Sequence, residues 1–317
     1  MPKSNAHLSN QKIITKTFES PTGAKLAGFH IQASGQAKGV VHILHGMSEH
    51  AGRYVRFAKV LSANGYHVYA HDQRGHGNTI APDASPGLFA KRDGLAKVIA
   101  DIEHINAHIT KTHPKLPITL LGHSMGSILA QSYLMENSNH VSAAILMNGS
   151  AQSGFQVSLF KFLIKIATAF KGSDVPSLLA DQIVFNEWNE HFAPNRTKSD
   201  WLSSDESEVD AFVNDPLCGA PVTNSLMRDT TIAMQKTTDI KHLQKIRTNL
   251  PIFIIGGEQD PSTNFAKQLI AFNSRLKALD FENVKLSIYA NSRHEGLNDV
   301  EQKEITSDII NWLNENT

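Results

Sequence analysis

Three short segments hold the residues whose types and order could do chemistry: Gly122-His123-Ser124-Met125-Gly126, Gly256-Gly257-Glu258-Gln259-Asp260-Pro261 and Asn291-Ser292-Arg293-His294-Glu295-Gly296. A serine hydroxyl is a weak nucleophile at neutral pH. It needs a base to take its proton, and the base needs a carboxylate to orient it. Ser124 is the candidate nucleophile and His294 the candidate base. Asp260 is the favoured acid, because by that point the loop has cleared the preceding apolar run and Pro261 stiffens it; Glu258 stands as the alternative. Such a set attacks a carbonyl carbon and passes through an acyl-enzyme.

That chemistry demands particular elements around it. Gly-x-Ser-x-Gly works as a nucleophile elbow only between a strand and a helix. Ile118 to Leu121 is a short apolar run that reads as the strand, and Ile128 to Met135 reads as the helix. The acid should follow one later strand and the histidine another. Ile252 to Ile255 precedes Asp260, and Val284 to Tyr289 precedes His294. Of 16 histidines, His294 alone follows a strand that itself follows a candidate acid strand. The developing oxyanion needs two backbone donors. Met125 N–H is one candidate; Met47 N–H, in the turn His45-Gly46-Met47, is the other.

The rest of the chain fits the same plan. Ile13 to Phe18 and Lys25 to Ile31, around Pro21-Thr22-Gly23, read as an antiparallel hairpin. Strands at Val40 to Leu44, His67 to Ala70 and Ala143 to Met147 alternate with helices at Tyr54 to Ala63 and Leu95 to Ile109. The alternation resumes at Pro251 and adds helices at Phe265 to Leu276 and Ile305 to Leu313. Strand and helix alternating at these lengths predict an α/β fold with a mostly parallel sheet and helices on both faces. The break at Gly149 predicts an inserted helical cap over 150–225, with the core formed by 1–149 and 226–317. Within the cap, Phe155, Leu159, Phe162 and Leu163 fall near helical spacing and are candidates to contact substrate, or to lean on a membrane surface.

Composition narrows the function classes. The chain of 317 residues is 41% hydrophobic, enough for a large core. Its 30 basic and 30 acidic side chains balance, so nothing favours nucleic acid as a partner. One cysteine, Cys218, allows no intrachain disulfide and reads as a small packed residue. The polar start of the sequence has no apolar segment of a signal peptide, so the cytoplasm is the default expectation. His71 and His76 lack a supporting carboxylate, no phosphate-binding glycine loop occurs, and neither metal nor cofactor is expected. Asp72 and Arg74, in Asp72-Gln73-Arg74-Gly75-His76-Gly77, read as braces for the loops.

In these residues the sequence resembles the monoacylglycerol lipase and lysophospholipase branch of the α/β-hydrolase superfamily, whose members are also described as serine aminopeptidase-type. The carrying residues are His45-Gly46-Met47-Ser48-Glu49-His50 with Arg53-Tyr54, the Asp72–Gly77 and Gly122–Gly126 segments, Asn214-Asp215-Pro216-Leu217 and Arg293-His294-Glu295. The likeness runs from about Gly23 to Trp312 and is weakest across the cap. It implies the α/β-hydrolase fold, the triad Ser124, Asp260 and His294, and an oxyanion hole from Met47 and Met125. It also implies cofactor-free hydrolysis of carboxylic esters of single-chain lipids, monoacylglycerol or lysophospholipid. Two other readings stay open. One is a small-ester carboxylesterase or an aminopeptidase-like hydrolase, the latter needing a pocket carboxylate such as Glu187 or Glu190. The other is a non-catalytic ligand-binding protein on the same scaffold.

Overall fold

The computed structural model describes residues 11–149, 155–177 and 185–317, without the side chains of 155–158, 160 and 161. Strands β1 (Ile13–Glu19) and β2 (Lys25–Ile31) form the predicted hairpin, with Gly23 in the turn at φ +85°. Then come β3 (Gly39–Leu44), β4 (Tyr66–His71), β5 (Ile118–His123), β6 (Ala143–Met147), β7 (Ile252–Gly257) and β8 (Val284–Tyr289). They make one eight-stranded sheet in the order β1-β2-β4-β3-β5-β6-β7-β8. The pairs β1–β2 and β2–β4 are antiparallel; every other pair is parallel. Every residue of β3, β5, β6 and β7 is buried, which explains why they read as unbroken apolar runs and not as alternating ones.

Helices cover both faces. On one lie α1 (Val55–Ala63) and the last helix, α10 (Gln302–Asn316), whose Ile305, Ile309, Trp312 and Leu313 pack against Phe253 and Tyr66. On the other lie α2 (Gly94–Thr112), α3 (Met125–Asn137) and α9 (Lys267–Ala278), with Ile102, Tyr133 and Phe272 in the second core. Each such side chain contributes roughly 1.5–3 kcal/mol by leaving water.

Between β6 and β7 the chain makes a long excursion through α4 (Phe155–Lys171), α5 (Asn186–Glu190), α6 (Glu206–Asn214), α7 (Asn224–Lys236) and α8 (Ile240–Leu243). Part of it has a small core of its own, Trp201, Leu202 and Phe212 with Phe185 and Trp188. Helix α7 is not anticipated by the sequence reading. It packs on α2, α3 and α4, and its buried side includes Ser225, Asp229, Thr230 and Thr231. A buried face that is half polar leaves little hydrophobic period to detect. Its start is nevertheless capped in the ordinary way, by Thr223 Oγ1 accepting the Leu226 N–H at 3.2 Å.

Candidate active site

β5 ends at His123 and α3 begins at Met125, so Ser124 alone makes the turn. It does so at φ +52° and ψ −119°, a conformation that costs a residue with a Cβ about 1–3 kcal/mol. The turn is held by Ser124 N–H donating to Met147 O at 2.9 Å and by Ser127 N–H donating to Ser124 O at 2.9 Å. The two glycines are required by close approach. A Cβ on Gly122 would sit 2.3 Å from Gly126 O, and one on Gly126 would sit 2.2 Å from Leu44 O.

The ends of β5, β7 and β8 bring the three predicted residues together. His294 Nε2 lies 2.8 Å from Ser124 Oγ, and His294 Nδ1 lies 2.9 Å from Asp260 Oδ2. Asp260 is fully buried and His294 nearly so, whereas Glu258 is exposed on the same loop. Asp260 also accepts from Asn148 Nδ2 at 2.7 Å and Ser262 N–H at 2.9 Å. Burial alone would raise its pKa. The His294 charge and hydrogen bond, with hydrogen bonds from Asn148 and Ser262, outweigh burial and hold the carboxyl below its ordinary value. An ionised Asp260 fixes the His294 proton on Nδ1, leaving the Nε2 lone pair facing the serine hydroxyl. Ser262 Oγ, 3.0 Å from the same Nδ1, adds a second polar neighbour.

Met125 is the first residue of α3, so its N–H has no carbonyl within the helix to reach. Met47 follows β3 and lines the cavity above Ser124. Behind this loop is a buried ionic cluster that sequence reasoning missed. Glu49 Oε1 accepts from Gly46 N–H and from the Tyr54 hydroxyl at 2.8 Å, and lies 3.1 Å from His123 Nδ1. Arg53 Nη1 bridges Glu49 at 3.1 Å and Glu295, which it also holds through Nη2 at 2.6 Å. His123 Nε2 is 3.0 Å from His294 O. A carbonyl and a carboxylate are both acceptors, so His123 carries both protons. Burial would lower its pKa, but the Glu49 hydrogen bond and charge dominate and raise it. For Glu49, burial pulls upward and is outweighed by His123 and Arg53, so its carboxyl stays well below the usual range. The sequence signal for this cluster was its four-residue spacing, Glu49 to Arg53; its partner Glu295 is 242 residues further on.

The other singled-out residues brace the same loops. Asp72 accepts from Ala51 N–H and Asn78 N–H at 2.9 and 2.8 Å, and Arg74 Nε donates to Phe89 O at 2.8 Å. His71 and His76 are each buried and do not converge on a shared point with a third ligand among the described residues.

A cavity of about 1180 Å³ opens over Ser124. Its apolar wall includes Met47, Ile128, Phe185, Trp188, Trp201 and Phe265. The Trp201 ring lies 4.7 Å from the His294 ring, centroid to centroid. The candidate substrate contacts of α4 are not brought to this wall. Leu159 and Phe162 are 43% and 58% exposed, Leu163 is half-buried, and none of the three lines the cavity. The side chain of Phe155 lies outside the described residues. Of the two acidic candidates, Glu187 lines the cavity and Glu190 does not. No described helix is long and apolar enough to cross a membrane.

Comparison with known proteins bears on the fold and the family. A monoacylglycerol lipase of Mycolicibacterium smegmatis is 26% identical over 87% of this chain and 88% of its own length. A monoglyceride lipase of Rattus norvegicus is 27% identical over 72% of this chain and 67% of its own. Among solved structures, a thermostable carboxyl esterase from Bacillus coagulans in complex with glycerol superposes with a TM-score of 0.88 at 24% identity, covering 96% of this chain and 98% of the other. A soluble variant of a monoglyceride lipase from Saccharomyces cerevisiae superposes at 0.74 and 18% identity, covering 97% and 96%. The family model described as serine aminopeptidase, S33 matches residues 35–301. With the strand order, the strained serine turn and that match taken together, the chain belongs to the serine aminopeptidase S33 family of α/β hydrolases.

Proposed function

We propose that the chain hydrolyses carboxylic esters of single-chain lipids, monoacylglycerols or lysophospholipids, through an acyl-enzyme on Ser124. The observation that carries this reading is the unbroken run Ser124 Oγ, His294, Asp260, with contacts of 2.8 and 2.9 Å, at the foot of a cavity with an apolar wall. Ester hydrolysis is supported by the triad geometry and by relatives named as monoacylglycerol and monoglyceride lipases. A single-chain lipid as the substrate is supported by the aromatic side chains of Phe185, Trp188 and Trp201, from the segment 150–225 that serves as the cap, and by those names.

In the mechanism His294 Nε2 takes the Ser124 proton as Oγ attacks the ester carbonyl carbon. The N–H groups of Met47 and Met125 hold the resulting oxyanion, each worth about 10²–10³ in rate. The imidazolium, steadied by Asp260, then protonates the departing alkoxide. Water, deprotonated by His294, attacks the acyl carbon; His294 returns the proton to Ser124 as the fatty acid leaves. No metal or cofactor is needed for any of these steps. The site is exercised in the cytoplasm or at a membrane surface.

The test is hydrolysis of 4-nitrophenyl esters from acetate to palmitate, with monoacylglycerol and lysophosphatidylcholine, by wild type and Ser124→Ala. Activity greatest on long monoacyl substrates and absent in Ser124→Ala is expected. A preference for acetate moves the reading to a small-ester esterase. Activity unchanged in Ser124→Ala overturns the mechanism. One observation favours a second reading, an aminopeptidase: Glu187 lines the cavity and could hold a substrate's free amine. Cleavage of aminoacyl 4-nitroanilides that Glu187→Gln abolishes would decide for it.

A further inference from the structure

Among the described residues, two groups outside the triad bring three ligand-type side chains together. One is His50, Asp215 and Cys218, close to the oxyanion loop. There His50 Nε2 and Asp215 Oδ2 already engage each other at 2.9 Å, and burial pushes the Cys218 thiol up to about 12, so the sulfur keeps its proton. The other is His30, His67 and His113, which come from β2, β4 and the residue ending α2.

We propose that His30, His67 and His113 form a binding site for one divalent transition metal of the zinc class, at the end of the sheet opposite Ser124. Imidazole nitrogens suit zinc, nickel and copper. Zinc–nitrogen bonds of about 2.0–2.1 Å set the nitrogens of a tetrahedral site about 3.3–3.4 Å apart. His30 Nε2 and His67 Nδ1 are 3.2 Å apart, close to that edge. One nitrogen from each of the three lies within 4.8 Å of the others. Closing the set takes a shift of up to about 1.5 Å, within reach of half-buried His113 at a helix end.

The surroundings support ligation. Ala33 N–H donates to His67 Nδ1 at 3.2 Å, so that nitrogen is unprotonated, and the metal would take its lone pair over from the amide. The Tyr69 hydroxyl sits 3.0 Å from His113 Nε2, an outer hydrogen bond of the kind that orients a ligating imidazole. Tyr69 also stacks on His30, with ring centroids 4.1 Å apart, and fixes that ring's plane. Burial, then the neighbouring imidazoles and Lys16, lowers His30 to about 3; burial with His67, His108 and Lys16 lowers His113 to about 4. All three rings are therefore neutral at neutral pH and proton competition is weak. Lys16 is an opposing feature, a cation close by that weakens binding. His67 is the second residue of β4 while Ser124 follows the far end of the parallel β5, so the metal would join three elements away from the chemistry. Its effect is on stability. The sequence spacing hid the set, since the three histidines are 37 and 46 residues apart.

The experiment is titration of chelator-treated protein with Co²⁺ alone, read by visible absorption, together with Tm in added Zn²⁺. One equivalent of Co²⁺ giving tetrahedral d–d bands, and a Tm raised by Zn²⁺, are expected. In His67→Gln/His113→Gln the bands should vanish and affinity should fall by more than about tenfold, with ester hydrolysis retained. If the double variant does not fold, His113→Gln alone carries the same comparison. A near-ultraviolet sulfur-to-cobalt band lost in Cys218→Ser would put the metal at the other group and overturn the proposal. So would absence of Co²⁺ binding, or binding by the double variant equal to wild type.

Discussion

Asp260 and Glu258 differ by two positions and by everything that matters for a triad. Asp260 is enclosed by three polar residues, His294, Asn148 and Ser262, around its carboxyl, while Glu258 faces solvent. Asp260→Asn should leave the fold intact and lower kcat by about 10³–10⁴, because a neutral amide no longer fixes the His294 tautomer. Glu258→Gln should stay within a few-fold of wild type. Steady-state kinetics on one chromogenic ester compares the two; a larger loss in Glu258→Gln would reverse the assignment. The Glu49 cluster gives a different signature. Glu49 has a depressed pKa, so its contribution to stability is present above its unfolded value near 4.3 and is lost as pH falls through the folded value. His123 has a raised pKa, so its contribution is complete below its unfolded value near 6.5 and is lost as pH rises through the folded one. Glu49→Gln leaves a buried His123 without its anion and should cost about 3–5 kcal/mol. It should also flatten the fall in stability on the alkaline side. Urea midpoints at pH about 5.5 and about 8.5 read both effects. An unchanged midpoint would mean that the cluster contributes nothing net.

At the scale of elements, most of the architecture could be read from short apolar runs, because strands buried on both faces need them. β6 and β8 carry the boundaries expected from sequence, and β3, β5 and β7 differ only at their ends. The elbow was legible for a related reason. Its glycines are demanded by backbone contacts across the Leu44, Ser124 and Gly126 segments, and such demands leave a fixed spacing. Gly126→Ala tests this. A methyl 2.2 Å from Leu44 O and 2.6 Å from His45 O must push the end of β3 away. A loss of about 3 kcal/mol or more is expected, with activity falling further than the folded fraction, since Met47 lies in the turn that follows that strand. Thermal unfolding and residual activity on the same sample separate the two. What was not legible lies where the deciding contacts are remote or polar. The buried side of α7 is half polar, and the cavity wall is drawn from Met47, Phe185, Trp201 and Phe265, which share no period. Helical spacing on α4 predicted a side that contacts substrate or leans on a membrane, but that period only marks an apolar side; what the side meets depends on how the helix is placed.

For the whole molecule, charge and exposed apolar surface together set whether it can bind a lipid surface. The formal net charge is zero, with 30 basic and 30 acidic side chains, so long-range attraction to an anionic membrane is weak. Yet α4 exposes Phe162 at 58%, Phe170 at 87% and Leu159 at 43%, on the same excursion that supplies Phe185 and Trp201 to the cavity wall. Burying such side chains in the headgroup boundary contributes roughly 25 cal/mol per Å² and does not depend on salt, unlike attraction between charges. If α4 is the contact through which single-chain lipid reaches Ser124, binding to phosphatidylcholine vesicles should persist at about 0.5 M salt, where the screening length is only a few Å. Phe162→Ser/Phe170→Ser should weaken that binding and slow hydrolysis of vesicle-borne monoacylglycerol. Hydrolysis of a dissolved short-chain ester should be unchanged, because neither residue lines the cavity. Vesicle flotation and the two assays on one preparation distinguish the outcomes. Binding that vanishes in salt would assign the contact to Lys165 and Lys171 on the same helix, and binding unaltered by the double substitution would remove α4 from the interface altogether.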